Sequence, residues 1–248
     1  MPNPSNPCRA GWQADRTAWE TSVTALRQGR DESVTLAFVD DPFDTALASV
    51  DELRDLYPPV LERAVLKDIG YFDDLCRQLI AGCSIAFLAT HSAEGNSDVT
   101  PRGGQPGFVT VLDDHRLAIP DATGNQRLDT LANVVETGRV GMIFVIGGRD
   151  TTLRVNGRAC VSADPELLER LEHVGKPPRT AIVIEAEEVY AHCPKAFVRS
   201  KLWNPESWPE PGSLPTAAEV TVAHRRDPEL TVAQVEEEQR ESLRTRLA

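Results

Sequence analysis

The spacing of apolar positions changes character twice along the chain. In the first third the apolar residues recur at helical intervals. "DRTAWETSVTALRQGR" (15–30) has helical composition, and "SVDELRDLYPPVLERAVLKD" sets Ser49 three residues before Glu52, a capping-box arrangement, ahead of a Pro58–Pro59 break. "DIGYFDDLCRQLIAGCS" puts Phe72, Leu75, Leu79 and Ile80 on one side of a third helix. After Gly82 the pattern shortens: "SIAFLATHS" reads as a buried strand and "AEGN" as a hairpin turn, while "SDVTPRG", "GFVTVL" and "RLAIP" are three further strands. A helix opening at Arg127 interrupts, with Leu128, Leu131, Val134 and Val135 on one face; "RVGMIFVI", "TTLRVNGRACVS" and "TAIVIEAEEVYAHC" then return to strand, with a helix at "DPELLERLEHV" before the last. Tight turns and helices placed between antiparallel strands favour a small barrel over a doubly wound parallel sheet. Beyond Trp203, "NPESWPEPGSLPTAAEV" is Pro-rich and extended, and "TVAQVEEEQRESLRTRL" closes the chain as a charged helix that docks on a partner subunit or lies in solvent.

Composition narrows the partners. In 248 residues, 41% hydrophobic content is enough for a proper core, and a net charge of -12 argues against nucleic acid or an acidic membrane as the main partner. Any anion must be held by a local cationic pocket. No apolar run reaches the roughly 18 to 20 residues that a membrane span needs, and "MPNPSNPCRAGWQADR" lacks a signal-peptide core, so a cytoplasmic protein is expected. The five cysteines, Cys8, Cys76, Cys83, Cys160 and Cys193, are scattered without CxxC spacing; they read as reduced and mostly structural, and no metal site is expected.

Against that acidic background four clusters of basic and polar residues stand out. "TPRGGQPGF" carries Arg102 followed by Gly103 and Gly104, where a ligand could approach the backbone closely or a bulge or hairpin could simply need glycine. "PDATGNQRL" places Pro120, Asp121, Asn125, Arg127 and Leu128 at the mouth of a helix, whose free N–H groups and positive dipole end form an anion site; the competing reading is a cap made by Asn125 with Arg127 on the surface. In "LRVNGR" strand alternation sends Arg154 and Asn156 to the face opposite Leu153 and Val155, toward a ligand groove or toward water. "KAFVRSKLW" sets Lys195 and Arg199 four residues apart on a helical turn, beside Ser200, with Trp203 a turn further on, which gives either a surface for a phosphorylated aromatic ligand or a basic patch over a buried indole.

The ordered series "TPRGGQPGFVTVLDDHRLAIPDATGNQRLDTLANVVETGRVGMIFVI", "LRVNGRA" and "HCPKAFVRSKLW" resembles the pyridoxamine 5'-phosphate oxidase-like superfamily, the FMN-binding split barrels, and within it a PPOX-class branch of FMN-dependent enzymes. The resemblance runs from about residue 50 to 205. It implies a mostly antiparallel β fold with flanking helices: an N-terminal extension (1–45), a split-barrel domain (46–205), and a Pro-rich linker with a C-terminal helix (206–248). It also implies a homodimer with two shared flavin clefts, the FMN phosphate held around Asn125 and Arg127, and Arg102, Gly103, Pro120 and Asp121 alongside the ring system. Arg199 then matches a flavin-contacting arginine, and Lys195 stands where the oxidase has an arginine facing its substrate's phosphate, so a different substrate is expected.

A flavin supplies the redox chemistry itself, and the protein orients a substrate and tunes the ring with positive charge. The first functional reading is therefore an FMN-dependent oxidoreductase for a small anionic or aromatic molecule, with Arg102, Lys195 or Arg154 near the reacting groups. The second is a flavin carrier or sensor without turnover of its own. A third gives the pocket to deazaflavin or to haem, for which His91, His115, His173, His192 and His224 are available.

Overall fold

The computed structural model describes residues 45–121, 126–171 and 177–246, and the chain divides into two compact units, Met1–Val60 and Leu61–Ala248. The described part of the first unit holds one short helix, α1 (Val50–Asp55). Ser49 Oγ caps it by accepting from Glu52 N at 3.2 Å, while the Glu52 carboxylate reaches past the cap residue to Ala48 N at 2.8 Å. The helix of residues 15–30 expected from composition lies outside the described residues.

The second unit begins with α2 (Glu62–Val65) and α3 (Asp74–Ala81), followed by seven strands: β1 (Ile85–His91), β2 (Ser97–Gly103), β3 (Thr110–Val111), β4 (Arg116–Pro120), β5 (Arg139–Val145), β6 (Thr152–Ser162) and β7 (Ala181–His192). Helix α4 (Asp129–Thr137) follows β4 and α5 (Pro165–Leu171) follows β6. The strands form one sheet in the order β2-β1-β5-β6-β7-β4-β3, with every neighbouring pair antiparallel. This is the split barrel with flanking helices that the strand pattern and the resemblance predict. Its interior is filled by alternate residues of the strands, among them Ala86 and Leu88 of β1, Leu117 and Ile119 of β4, Met142 and Phe144 of β5, Leu153 and Val155 of β6, and Ile182 and Ile184 of β7.

Several expected elements are placed differently. Helix α3 starts after Phe72, because Asp73 caps it by accepting from Cys76 N at 2.7 Å; Cys76 and Ile80 form its buried stripe and Leu75 is exposed. Phe72 is buried as well, but it is fixed from outside the helix by donating its N–H to Asp114 O at 2.7 Å. The strand expected over "GFVTVL" contracts to Thr110–Val111; Gly104 packs against Phe108 so tightly that a Cβ there would sit 2.7 Å from Phe108 Cβ. "SIAFLATHS" buries only one of its faces. After β7 come α6 (Lys195–Ser200), a 3₁₀ turn (Pro205–Ser207), α7 (Ala217–Arg225) and α8 (Val232–Arg246).

The stretch read as wholly extended thus contains the start of α7, which opens with a complete capping box between Thr216 and Glu219. Helix α8 packs on α7, with Ala218 and Val235 buried, and is not isolated in solvent. Its charged side carries i,i+3 ion pairs, Glu237–Arg240 and Glu241–Arg244. Among the described residues no helix is long and apolar enough to cross a membrane.

Candidate functional site

Strand β2 alternates sharply: Asp98, Thr100 and Arg102 are half-buried, while Ser97, Val99, Pro101 and Gly103 face out. The antiparallel register sets those three residues directly opposite Thr90, Leu88 and Ala86, all buried, so they lie on the inner face of the barrel wall. β2 ends the sheet on one side and β3 on the other, so this wall faces the seam of the barrel. Arg102 is held there by neutral partners only, its Nη1 donating to Thr100 Oγ1 at 3.0 Å and to Pro101 O at 3.3 Å. It forms no ion pair among the described residues. Its positive charge nevertheless reaches Asp121, at the far end of β4: burial pushes the Asp121 carboxyl above the ordinary carboxylate range, and the nearby Arg102 partly offsets that rise. β2 is one edge of the sheet order and β4 is next to the other, so Arg102 and Asp121 come from opposite ends of the sheet.

The third element at this seam is α4. Its contacts step from β2 (Thr130 Oγ1 donating to Asp98 Oδ2, 2.6 Å) to β1 (Asn133 Nδ2 donating to Thr90 Oγ1, 3.0 Å) and then to β6 (Ala159 N donating to Gly138 O, 2.9 Å). The helix therefore crosses the sheet with its N-terminus over β2. The chain enters it through two non-glycine residues in the left-handed region, Gln126 (φ 64) and Leu128 (φ 61), which flank Arg127. Such conformations cost of order 1–3 kcal/mol each and collect at ligand-binding turns. Arg127 lies outside the helix and pairs through Nε with Asp129 Oδ2 at 2.8 Å, the pair being largely exposed.

The apolar face expected for α4 is corrected here. Leu128 is the cap residue and is 56% exposed, Val135 is 72% exposed, and the buried face consists of Thr130, Asn133 and Val134. Asn125, the expected cap and phosphate ligand, lies outside the described residues; Pro120 closes β4 opposite Ala181, and Asp121 N donates to Thr180 O at 2.9 Å.

On β6, Arg154 and Asn156 face away from Leu153 and Val155, as alternation requires. Arg154 lies over the Tyr190 ring, 5.8 Å from its centroid, with Lys67 Nζ 4.8 Å from the same ring. Asn156 donates to Glu188 Oε2 at 2.6 Å and accepts from Arg154 Nε at 3.4 Å. The glycine of "LRVNGR" has a structural role: Gly157 sits at a bulge in the β6–β7 ladder, where a Cβ would run into Glu185 O. Gly103 likewise faces Ser84 O, 3.2 Å from where a Cβ would stand.

The C-terminal cluster departs from a continuous helical face. α6 ends at Ser200, whose Oγ donates to Phe197 O at 3.0 Å, and Lys201 turns left-handed (φ 53). Trp203 folds back to stack on Phe197 at 6.1 Å and donates its indole N–H to Arg149 O at 3.0 Å, so it is neither a further turn of helix nor part of the core. Lys195 and Arg199 are exposed and form no ion pair among the described residues.

Two features were not anticipated from the sequence. One is the Asp98–Thr130–Thr90–Asn133 network; its only sequence trace is that Asp98 shares the Arg102 face of β2 and that Thr130 and Asn133 are three apart. The other is the approach of two cations, Lys67 and Arg154, to the Tyr190 ring. An open cavity of about 540 Å³ lined by Asp113, Asp114, His115, Arg116 and Glu185 does not contain Arg102 or α4, and its acids are already engaged by Arg116, Arg77 and Arg158. Among the described residues no three His, Cys, Asp or Glu side chains are grouped to hold a metal ion.

The family model described as pyridoxamine 5'-phosphate oxidase matches residues 72–193, which span α3 through β7 and contain Arg102, Asp121 and α4. Among solved structures, HupZ of Group A Streptococcus is 21% identical over 48% of this chain and 92% of its own, with a TM-score of 0.40. A Clostridium acetobutylicum protein related to general stress protein 26 of Bacillus subtilis is 15% identical over 47% and 84%, with a TM-score of 0.37. Among curated proteins none matches the chain.

Proposed function

With residues 72–193 forming a domain of the pyridoxamine 5'-phosphate oxidase family, we propose that the protein is an FMN-dependent oxidoreductase that acts as a homodimer on a small anionic or aromatic molecule. The observation that carries this reading is a half-buried guanidinium with no ion-pair partner among the described residues, Arg102, on the same face of β2 as Asp98, to which the first turn of α4 is tied. A phosphate monoester suits that setting. Charge-assisted hydrogen bonds are worth roughly 1.5–3 kcal/mol each, and a helix N-terminus adds about 0.3–1 kcal/mol. The exposed Arg127–Asp129 pair is weak enough for a dianion to displace.

FMN, when bound, supplies two-electron transfer between its ring and the substrate. In this proposal Arg102, which the resemblance sets alongside the ring system, is instead assigned with Arg127 to the phosphate end, together with the segment that includes Asn125, while Pro120, Asp121, Leu128 and the backbone at Gly103 border the ligand. Arg154 holds an acidic substrate. Lys195, Arg199, Ser200 and Trp203 complete the cleft of the partner subunit, with Lys195 directed at the substrate. A second copy is favoured by the outer sheet face, where Val99, Phe87 and Ile85 are 67%, 41% and 36% exposed on adjacent strands β2 and β1. Solution and cytoplasmic location belong to the same reading.

The test is the visible absorption spectrum of the purified protein, with mass spectrometry of whatever heat releases. Flavin bands with FMN in the supernatant are expected. A released deazaflavin or haem, or a colourless protein that binds no added FMN, contradicts the proposal.

A further inference from the structure

We propose that Asp98 and Thr130 form a latch that aims the N-terminus of α4 at the flavin phosphate, so that this pair positions the phosphate site without touching the ligand. The inference rests on the FMN reading above and deepens it.

The donors all point one way. Asn133 donates to Thr90 Oγ1, Thr90 donates to Asp98 Oδ2 at 3.4 Å, and Thr130 donates to the same Oδ2 at 2.6 Å. One carboxylate oxygen thus gathers two hydroxyl donors, and Thr90, Thr130 and Asn133 are each under 9% exposed. Thr130 and Asn133 are the first and second buried positions of α4, and Thr130 is only the second residue of the helix. At the other end Glu136 Oε2 accepts from Ala93 N at 3.2 Å and Gly138 O accepts from Ala159 N, so the C-terminal half is tied down independently. Its first turn lacks a side-chain cap at Leu128, and the Arg127–Asp129 pair beside it is largely exposed. The latch is what fixes that turn.

The same strand face sets Arg102. Asp98, Thr100 and Arg102 are alternate residues of β2; Asp98 holds α4 while Thr100 Oγ1 accepts from Arg102 Nη1. Both halves of the proposed phosphate site are therefore referenced to one strand. Loss of the Thr130 hydroxyl frees the first turn of α4 relative to Arg102 and leaves the half-buried Asp98 oxygen short of its closest donor.

The experiment compares FMN with riboflavin, which lacks the phosphate, on wild type, Thr130→Val and Thr130→Ser, each dimer folded by far-UV circular dichroism. Wild type is expected to prefer FMN over riboflavin by more than tenfold. Thr130→Val should lose about tenfold in FMN affinity, equivalent to about 1.4 kcal/mol, with riboflavin affinity unchanged within about twofold. Thr130→Ser keeps the hydroxyl and should restore the preference. Equal losses for both flavins in Thr130→Val would mark general destabilisation and overturn the latch, as would an unchanged preference. Should Thr130→Val not fold, Asp98→Asn, which retains an acceptor oxygen, is expected to weaken FMN selectively; an unchanged ratio there overturns the latch. Wild type with no affinity for either flavin overturns the functional reading and the latch with it, whereas a wild-type preference that survives the substitutions overturns the latch alone.

Discussion

Two sets of arginines in this barrel stand in opposite electrostatic circumstances. Across β5, β6, β7 and β4 the register lines up Arg139, Arg158, Glu185 and Arg116 in one row. Each arginine of that row has a carboxylate: Arg139 pairs with Glu187, Arg158 with Glu185 at 2.7 Å, and Arg116 with Asp113 at 2.6 Å. Arg102 is less exposed than any of them, yet among the described residues only a hydroxyl and a carbonyl hold it, and the acid it acts on, Asp121, lies in a setting that disfavours its charge. A protein with 38 acidic residues has carboxylates to spare. Among the described residues none of them pairs with Arg102, whereas each arginine of the row is paired across the sheet surface.

The contrast can be broken most forcefully at the bulge that sets the row. Gly157→Ala drives a Cβ into Glu185 O, which shifts the β6–β7 register and takes the Arg158–Glu185 pair with it; a loss of about 3 kcal/mol or more in a urea unfolding curve is expected. Next in size is Arg102→Ala. It should weaken FMN binding about ten- to a hundredfold, the worth of one charge-assisted contact of roughly 1.5–3 kcal/mol, with little change in the unfolding midpoint. Arg158→Ala is the control: its pair is about half exposed, so it should cost at most about 1 kcal/mol of stability and leave flavin affinity unchanged.

The smallest effect is expected at Asp121. Its folded-state carboxyl titrates above the ordinary value of 3.8, so at neutral pH its charge is a penalty on the folded state; the penalty fades as pH falls through the raised folded value and is gone below the unfolded one. Asp121→Asn should therefore stabilise the protein slightly at neutral pH and have no effect below about pH 3.8, read from unfolding midpoints at both.

The strands were legible because their signals are local. β2 and β4 coincide with "SDVTPRG" and "RLAIP", and β6 differs from its expected span only at Thr151, since alternation and turn residues act within a few positions. The antiparallel barrel followed from the same pattern and the motif series. The helix entry was not legible in this way. Nothing in "GNQRLD" announces that Gln126 and Leu128 adopt positive φ, so Leu128 passed for the first apolar position of a helix that begins one residue later. Nor does periodicity show that α4 docks through Thr130 and Asn133, because polar residues on a buried face are read as solvent-facing until their partners on other strands are known. Trp203 was misplaced for a similar reason: the left-handed Lys201 ends α6 and returns the indole to Phe197.

The proposed site is a place as much as a ligand, and a crystal structure of the protein grown with FMN is its sharpest test. One FMN per subunit is expected, with its phosphate within hydrogen-bond distance of the Arg102 guanidinium and of the first N–H groups of α4, and with the Arg127–Asp129 pair opened. A flavin bound elsewhere on the barrel, or a phosphate that touches neither Arg102 nor α4, would contradict it.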